Sequence, residues 1–511
     1  MMKDKIIIIG GGLAGSEAAY QIAKRKVNVD LYEMKPTKFS PAHQDKNLAE
    51  IVCSNSFKSN LLTNACGLLK EELRRLDSLL IKVADQTRVP AGQALAVDRE
   101  KFAKKVTEEL QKNPYINIIN KEVVSKFDKK LSTISAQNVY LEDLIKSNIV
   151  IIATGPLTSE SLYEGIKHLI GEESLHFYDA EAPIIEKNSI DFNVAFYGNR
   201  YDEEKKKDES LDEWKQRIKS EEASYINLPM NKEEYEAFCN ELSKAEVVTL
   251  KEFEKSEIFE GCMPIEIMCK RGIDTLRFGP LKPVGFDDPR TGKRPYAVVQ
   301  LRQDNKEGTL YNIVGFQTNL KYGEQKRIFS LIPGLENVEF AKYGVMHRNT
   351  FINSPELLDN TYNLKKNRNI YFAGQITGVE GYVESISSGM KASINAAQKL
   401  LEESRNAEQN INKEKMLESQ ETTKKKINSA NKKIINESDN HINQNDKVKI
   451  EIMNNEDTMI GALSKYISEK HKDFQPMNAN YGILRALDEN IKDKRVKYQK
   501  MSDRSLTLFQ F

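Results

Sequence analysis

Three features of the sequence predict an α/β protein with a parallel sheet and an inserted α+β domain. A β-branched run, Lys5–Ile9, leads into Gly10-x-Gly12-x-x-Gly15 and an apolar helix. Two more buried-type strands, Asn148–Ile152 and Asn369–Ala373, also end in glycine turns. Between them, from about Asp191 to Phe329, the pattern shifts to short strands, Pro and Gly turns and a charged helix.

The first element, Lys5–Ile9, has no polar alternation, as expected of a parallel strand covered on both faces. Its turn has a physical reading at each glycine. Gly10 permits a tight bend, Gly12 lets backbone approach a pyrophosphate, and Gly15 lets helix and strand pack closely. Gly11, Leu13 and Ala14 complete the cradle, where the helix N-terminus offers N–H groups and a positive dipole. Ala18, Ala19, Ile22 and Ala23 make that helix apolar, and Val27–Tyr32 forms the next strand. Glu33 ends it, at the position from which a carboxylate takes a ribose hydroxyl pair.

Helical periodicity follows over Gly67–Ile81, and Asp98 is a natural N-cap for a helix over Lys101–Leu110. After the strand Asn148–Ile152 comes Ala153-Thr154-Gly155, a strand-end signature of flavoproteins. After Asn369–Ala373 comes Gly374-Gln375-Ile376-Thr377-Gly378, and then a helix over Val383–Leu401. Glycine turns at both ends of the chain mark a glutathione-reductase-like FAD-binding Rossmann fold. There the second turn aims a helix N-terminus at the flavin ring. A second Gly-x-Gly-x-x-Gly is absent, so a nicotinamide has no domain of its own and would visit the flavin only transiently.

These elements divide the chain into a first FAD-binding part (1–190), an inserted RNA or substrate domain (191–330) and a second FAD-binding part (331–401). A low-complexity segment (402–457) and a C-terminal segment packing on the core (458–511) follow. Residues 402–457 lack Gly, Pro and aromatic residues. That composition is expected to form a disordered linker or a solvated helix. Asp202–Glu222 is a second charged stretch and holds the only Trp, Trp214.

Bulk properties set further bounds. A chain of 511 residues is expected to hold two or three domains. With a net charge of +1, any nucleic-acid contact must come from a local basic patch. No apolar run approaches the roughly 20 residues that span a bilayer, so a cytoplasmic protein is expected. The five cysteines are Cys53, Cys66, Cys239, Cys262 and Cys269. Their odd number and spacing predict neither structural disulfides nor a metal site.

Several blocks go beyond a generic flavoprotein. They include Leu31-Tyr-Glu-Met-Lys-Pro, Val52-Cys-Ser-Asn-Ser-Phe-Lys-Ser, Arg88-Val-Pro-Ala-Gly and Phe259-Glu-Gly-Cys-Met-Pro-Ile-Glu. Phe278-Gly-Pro-Leu-Lys-Pro-Val-Gly, His347-Arg-Asn-Thr-Phe-Ile-Asn-Ser-Pro and Phe474-Gln-Pro-Met-Asn-Ala-Asn-Tyr-Gly continue the series. With the N-terminal glycine block they closely resemble the TrmFO family of folate- and FAD-dependent tRNA uracil-5 methyltransferases, nearly end to end. The resemblance implies a one-carbon unit from 5,10-methylenetetrahydrofolate and flavin electrons supplied by NADPH or NADH. The methyl group goes to C5 of a T-loop uridine of tRNA. The same chemistry on a ribosomal RNA uridine is the alternative, and no obligate protein partner is implied. One position departs from the family: Leu228, in Asn227-Leu-Pro-Met, stands where a Cys is usual, so that thiol is not expected to be essential.

Uracil C5 is a poor nucleophile until a thiolate adds to C6, so the site needs a reactive Cys, a base and an electrophile. Cys262 lies in a Gly-Cys-Met-Pro turn near Lys270 and Arg271 and is the expected nucleophile, although a buried structural role is the commoner fate of a free Cys. The resemblance makes Cys53 a second thiol, as base or protector. Glu266 is a candidate acid or base, and equally an ordinary surface glutamate. His347, Arg348 and Asn349 are candidates to position folate or flavin; His347 reads nearly as well as a structural histidine. Arg99, Lys101, Lys104 and Lys105, with Lys282, Arg290, Lys293 and Arg294, are candidates to grip RNA phosphates, though such clusters are more often solvated faces. A wobble-uridine partner protein fits the block around Cys262 poorly. A thiol–disulfide enzyme would need a Cys-x₄-Cys pair, which is absent.

Overall fold

The computed structural model describes residues 5–131, 137–171, 175–199, 210, 213, 225–248, 263–288, 290–423, 444–472 and 474–509. Its first sheet has five parallel strands, in the order Ile370–Phe372, Ile149–Ile152, Lys5–Ile9, Asn28–Glu33, Ile116–Asn120. Ile6 pairs with Val29 on one side and Ile149 on the other. The run Ile6–Ile9 is buried throughout, which is why it carries no polar alternation.

Helices cover this sheet at very close range. The first, Leu13–Ala23, packs against a long helix, Tyr382–Thr423. Gly389 makes that crossing possible: a Cβ there would stand 2.2 Å from the Ala14 carbonyl oxygen. The long helix runs well past Leu401 and carries the first part of the low-complexity segment as helix. Residues 424–443 lie outside the described set. Helix Gln444–Asn454 then returns to the core, where Ile452 and Met453 are buried and Arg25 pairs with Asp446 at 2.7 Å. The expectation of a wholly solvated segment therefore does not hold there. Those two apolar residues suffice once neighbouring helices fix their partners.

The helix expected over Gly67–Ile81 is two helices, Ala65–Arg75 and Leu79–Gln86. Asp77 breaks the path with φ at 63°, and Ser78 caps the second helix through Ile81 N. A remote carboxylate completes the break. Glu17 Oε2 accepts from Ser78 Oγ at 2.8 Å and Leu80 N at 3.1 Å. Asp98 caps its helix as expected, accepting from Lys101 N at 3.0 Å.

A second sheet has six strands in the order Phe196–Tyr197, Tyr225–Met230, Ala297–Gln303, Leu310–Ile313, Ile184–Glu186, Phe340–Lys342. Its pairs are antiparallel, and it has its own core around Leu228, Phe238, Leu301, Phe316 and Phe329. The sheet reaches beyond 191–330 at both ends. The charged stretch around Trp214 lies outside the described residues, apart from Ser210 and Glu213. A two-stranded ribbon, Leu175–Ala180 with Met346–Phe351, runs antiparallel.

The C-terminal segment docks on the first core. Buried Glu72 caps helix Met459–Ser468, accepting from Met459 N at 2.7 Å and Ile460 N at 3.0 Å. Burial raises its pKa to about 7. Among the described residues no helix is long and apolar enough to cross a membrane.

Lys391 on the long helix is completely buried and donates to Met453 O at 2.7 Å and Ser464 Oγ at 2.5 Å. Burial lowers its pKa to about 7. Between that value and the unfolded lysine value of about 10.4, the unfolded chain binds the extra proton. Stability from this site therefore rises with pH across that window. The stability of wild type relative to Lys391→Met is expected to grow by up to a few kcal/mol between roughly pH 7 and 10. Denaturant melts of both proteins across that range check it; a gap flat with pH would contradict it.

Candidate active site

The two glycine turns meet at one cleft of about 1110 Å³, open to solvent. Gly10–Ala14, Glu33, Thr154, Gly155, Gly374, Gln375 and Tyr382 contribute to its wall. Gly10 has φ at 103°, and its N–H donates to Tyr32 O at 2.8 Å, continuing the strand ladder into the turn. A Cβ on Gly15 would stand 1.8 Å from Gly10 O, so only glycine lets helix and strand approach this far. At Gly12, by contrast, a Cβ would meet nothing within 4 Å. No side chain caps the helix that starts at Leu13. Open space before uncapped helical N–H groups is what a pyrophosphate requires.

Glu33 is buried at the end of its strand. It accepts from Gly11 N at 2.8 Å and Lys35 N at 2.9 Å. Each oxygen keeps a lone pair for a ribose hydroxyl, so the carboxylate braces the turn and still faces the cleft. Thr154 and Thr158 hydroxyls lie 2.6 Å apart, and Gly155 has φ at 65°. Gly374 donates to Ser388 Oγ at 2.7 Å, and Gln375 Nε2 to both Glu380 oxygens. Gly378 serves the fold more than the cleft, since a Cβ there would be 2.6 Å from the Phe474 ring. These residues fit a flavin dinucleotide: the uncapped N–H groups of the first helix would hold its phosphates and Glu33 a ribose.

Tyr382, not anticipated from the sequence, links this cleft to Cys53. Its hydroxyl oxygen accepts from Cys53 N and Ser54 N, both at 3.0 Å. Burial pushes its pKa well up, so the hydroxyl keeps its proton. Cys53 itself is half-buried, with Sγ 3.8 Å from Ala180 O. No strand precedes it, since residues 50–52 are irregular. Arg99 takes the carbonyls of that segment, donating to Ile51 O at 3.2 Å and Val52 O at 2.9 Å. Its Nε donates to both Asp304 oxygens. Arg99 is thus committed inside the protein and does not serve as a surface phosphate contact. Arg302 donates to Ser54 Oγ at 2.7 Å and Asn55 Oδ1 at 3.1 Å. Lys342 pairs with Glu181 at 2.9 Å beside Val52 O. His43, in the cleft wall, is held below its ordinary pKa by burial, hence neutral, with Nδ1 2.6 Å from Ser40 Oγ.

The other candidates are dispersed. Cys262 lies outside the described residues. Glu266 is buried, accepts from Thr318 Oγ1 at 2.9 Å and Asn319 N at 2.8 Å, and has its pKa raised by burial. Its carboxylate holds a loop of the second core together and is not the surface glutamate of the alternative reading. The side chains of His347 and Arg348 lie outside the described set; their backbones pair with Asp179 and Tyr178 in the ribbon, and Asn349 is buried there. Leu228 packs in the second core. Lys101 pairs with Glu307 and Asp98, and Lys104 and Lys105 sit on the same helix. Lys282 is half-buried; Arg290, Lys293 and Arg294 are exposed, with Arg290 paired to Asp288 at 2.8 Å. Among the described residues no three His, Cys, Asp or Glu side chains converge as a metal site needs. Tyr382 had a readable signal, as the first residue of the helix aimed at the flavin; His43 and Lys342 had none.

A family model described as glucose inhibited division protein A matches residues 5–404. The chain is 51% identical over 510 residues to a protein of Acetivibrio thermocellus called methylenetetrahydrofolate–tRNA-(uracil-5-)-methyltransferase TrmFO, covering 100% of this chain and 98% of that one. Proteins of the same name from Fusobacterium nucleatum and Staphylococcus saprophyticus are 50% and 48% identical, each covering 99% of this chain and 98% of theirs. Among solved structures, GidA of Aquifex aeolicus aligns with a TM-score of 0.54 at 17% identity. That alignment covers 78% of this chain and 64% of that one, less than two thirds of its length, and it shows a shared fold.

Gly12→Val and Gly15→Val separate ligand space from packing space. Gly12→Val is expected to fold normally and come out colourless, its side chain filling the phosphate position. Gly15→Val is expected to lose the native fold. Flavin absorbance and circular dichroism check both, and a fully yellow Gly12→Val would contradict the cradle.

Proposed function

Because the chain belongs to the TrmFO family, we propose that it is a methylenetetrahydrofolate–tRNA-(uracil-5-)-methyltransferase that uses FAD. The observation that carries this reading is the Tyr382 hydroxyl. It lies in the wall of the dinucleotide cleft and holds the backbone of Cys53. The loop that carries a thiol is thereby tied to the wall of the proposed cofactor cleft, which suits C5 methylation of a uracil.

The reaction balances as follows. The methylene carbon of the folate needs two electrons to become a methyl group. FAD held by Gly10–Ala14, Glu33 and the Gly374 turn would supply that redox chemistry, with NADPH or NADH as the source of the electrons. On the protein side, a thiolate adds to uracil C6 and makes C5 nucleophilic. C5 bonds to the methylene carbon as that carbon's bonds to the folate nitrogens break and tetrahydrofolate leaves. C5 loses its proton to a base, the two electrons and a proton complete the methyl group, and the thiolate leaves from C6. Cys262 and Cys53 are the two thiols assigned to these steps. Arg99, Arg302 and Tyr382 hold the Cys53 loop in place, and neutral His43 in the cleft wall is free to move a proton. His347, Arg348 and Asn349 are assigned to folate or flavin positioning. Glu266 acts through the loop it holds and not on substrate.

Transfer RNA is the substrate proposed, and its uridine must be extruded from a stacked loop at a cost of a few kcal/mol. The three relatives described above are all named for tRNA. A cytoplasmic location follows from that substrate.

Cys53→Ala and Cys262→Ala are each expected to keep the flavin spectrum. Transfer of labelled carbon from methylenetetrahydrofolate to tRNA should fall by roughly 100-fold or more. Covalent capture of RNA carrying 5-fluorouridine tells them apart, since only the C6 nucleophile is required for it. Undiminished transfer in both variants, or label appearing in ribosomal RNA and not in tRNA, would overturn the reading.

A further inference from the structure

We propose that Phe278 is a stacking platform for an unpaired nucleobase, set in a basic face that holds the phosphates of the RNA. The proposal rests on the reading that RNA is the substrate and names how the protein grips it outside the cleft.

Phe278 is 74% exposed, the most exposed large apolar side chain among the described residues. Its position is built. A single helical turn, Thr275–Phe278, is anchored by buried Leu276 and ended by Gly279, which leaves the ring facing solvent. Arg277 is fixed behind it. Its Nε donates to Tyr296 O at 3.1 Å, and its backbone N donates to the hydroxyl of buried Tyr235 at 3.2 Å. The guanidinium carbon lies 4.1 Å from the Tyr296 ring centre and 5.4 Å from that of Phe278. The ring is therefore held against a fixed cation.

Charge identifies the occupant. From Lys270 to Arg294 there are seven Lys and Arg against three Asp, a surplus of four in a chain whose net charge is +1. One of those acids, Asp288, is taken by Arg290. Lys293 and Arg294 are exposed on the same loop system. A flat ring within a cationic surface suits a polyanion that carries flat rings of its own: single-stranded RNA pairs phosphates with cations and bases with aromatic faces. Phe278 is not among the residues lining the dinucleotide cleft. Its contribution is to RNA affinity, separate from the pocket that does the chemistry.

The test uses the full-length FAD-loaded protein and fluorescently labelled tRNA, with anisotropy measured over a salt series. Phe278→Ala is expected to weaken binding roughly 5- to 100-fold, the range of one base–aromatic stack. Its salt slope should match wild type, because no cation is removed. Phe278→Trp should recover the affinity. Replacing Lys293 and Arg294 together by Ala should lower the slope by about 2. An unchanged flavin spectrum in each variant reports an intact fold. If wild type binds tRNA and Phe278→Ala equals it, the platform is wrong and the RNA reading stands. A loss that Trp does not recover, or one accompanied by a changed salt slope, also overturns the platform. If wild type itself binds no tRNA, the substrate reading fails and the platform with it.

Discussion

The site depends on backbone touching backbone on two sides of the first helix. Its Gly15 lies against Gly10 O, and its Ala14 carbonyl lies against Gly389 of the long helix. Neither approach tolerates a Cβ. Together they fix how two helices, separated by some 360 residues of sequence, cross near their N-termini. Because the crossing is fixed, residues at both N-termini line a single cleft. A slightly wider crossing would leave the same glycines in sequence and no common site in space.

Buried charge is the second organising element. Glu17 and Glu72 each cap a helix that starts far away in sequence. Lys70 donates to the carbonyls of Phe57 and Ser59 and so secures the strand that follows the Cys53 loop. Each such group costs desolvation, and each is matched to backbone dipoles that would otherwise be unpaired. The pattern concentrates where irregular backbone must be held. The Cys53 loop has no strand to hold it, and four side chains do that work: Arg99, Arg302, Lys342 and Tyr382.

Much of this architecture was legible in the sequence, for a local reason. The strand Lys5–Ile9, the glycine turns and the Asp98 cap are encoded within a few residues, so pattern and outcome coincide. The misreadings are all tertiary. Ser78 reads as mid-helix until Glu17, 61 residues away, binds its hydroxyl. Arg99 reads as a solvated cation because Asp304, its partner, lies just past a strand of the other sheet. Ile452 and Met453 sit in a polar stretch and look too sparse to pack, yet their helix meets both the long helix and helix Met459–Ser468. Glu266 reads as a possible acid–base group until Thr318 and Asn319 are seen to take both its oxygens.

The thiol loop is where the two cores are tied together. Asn55 donates to Gln303 O at 2.9 Å and Arg302 reaches back to Ser54, both bonds crossing from the first core to the second sheet. The second core also carries the basic loop with Phe278. Any shift of that core, driven by whatever settles on its basic face, must therefore be felt at Ser54 and Asn55, one and two residues from the thiol. Tyr382 holds the other side of the same loop against the cleft wall. The Cys53 loop thus sits at the joint between the second core and the wall of the cleft, and it is constrained by both at once.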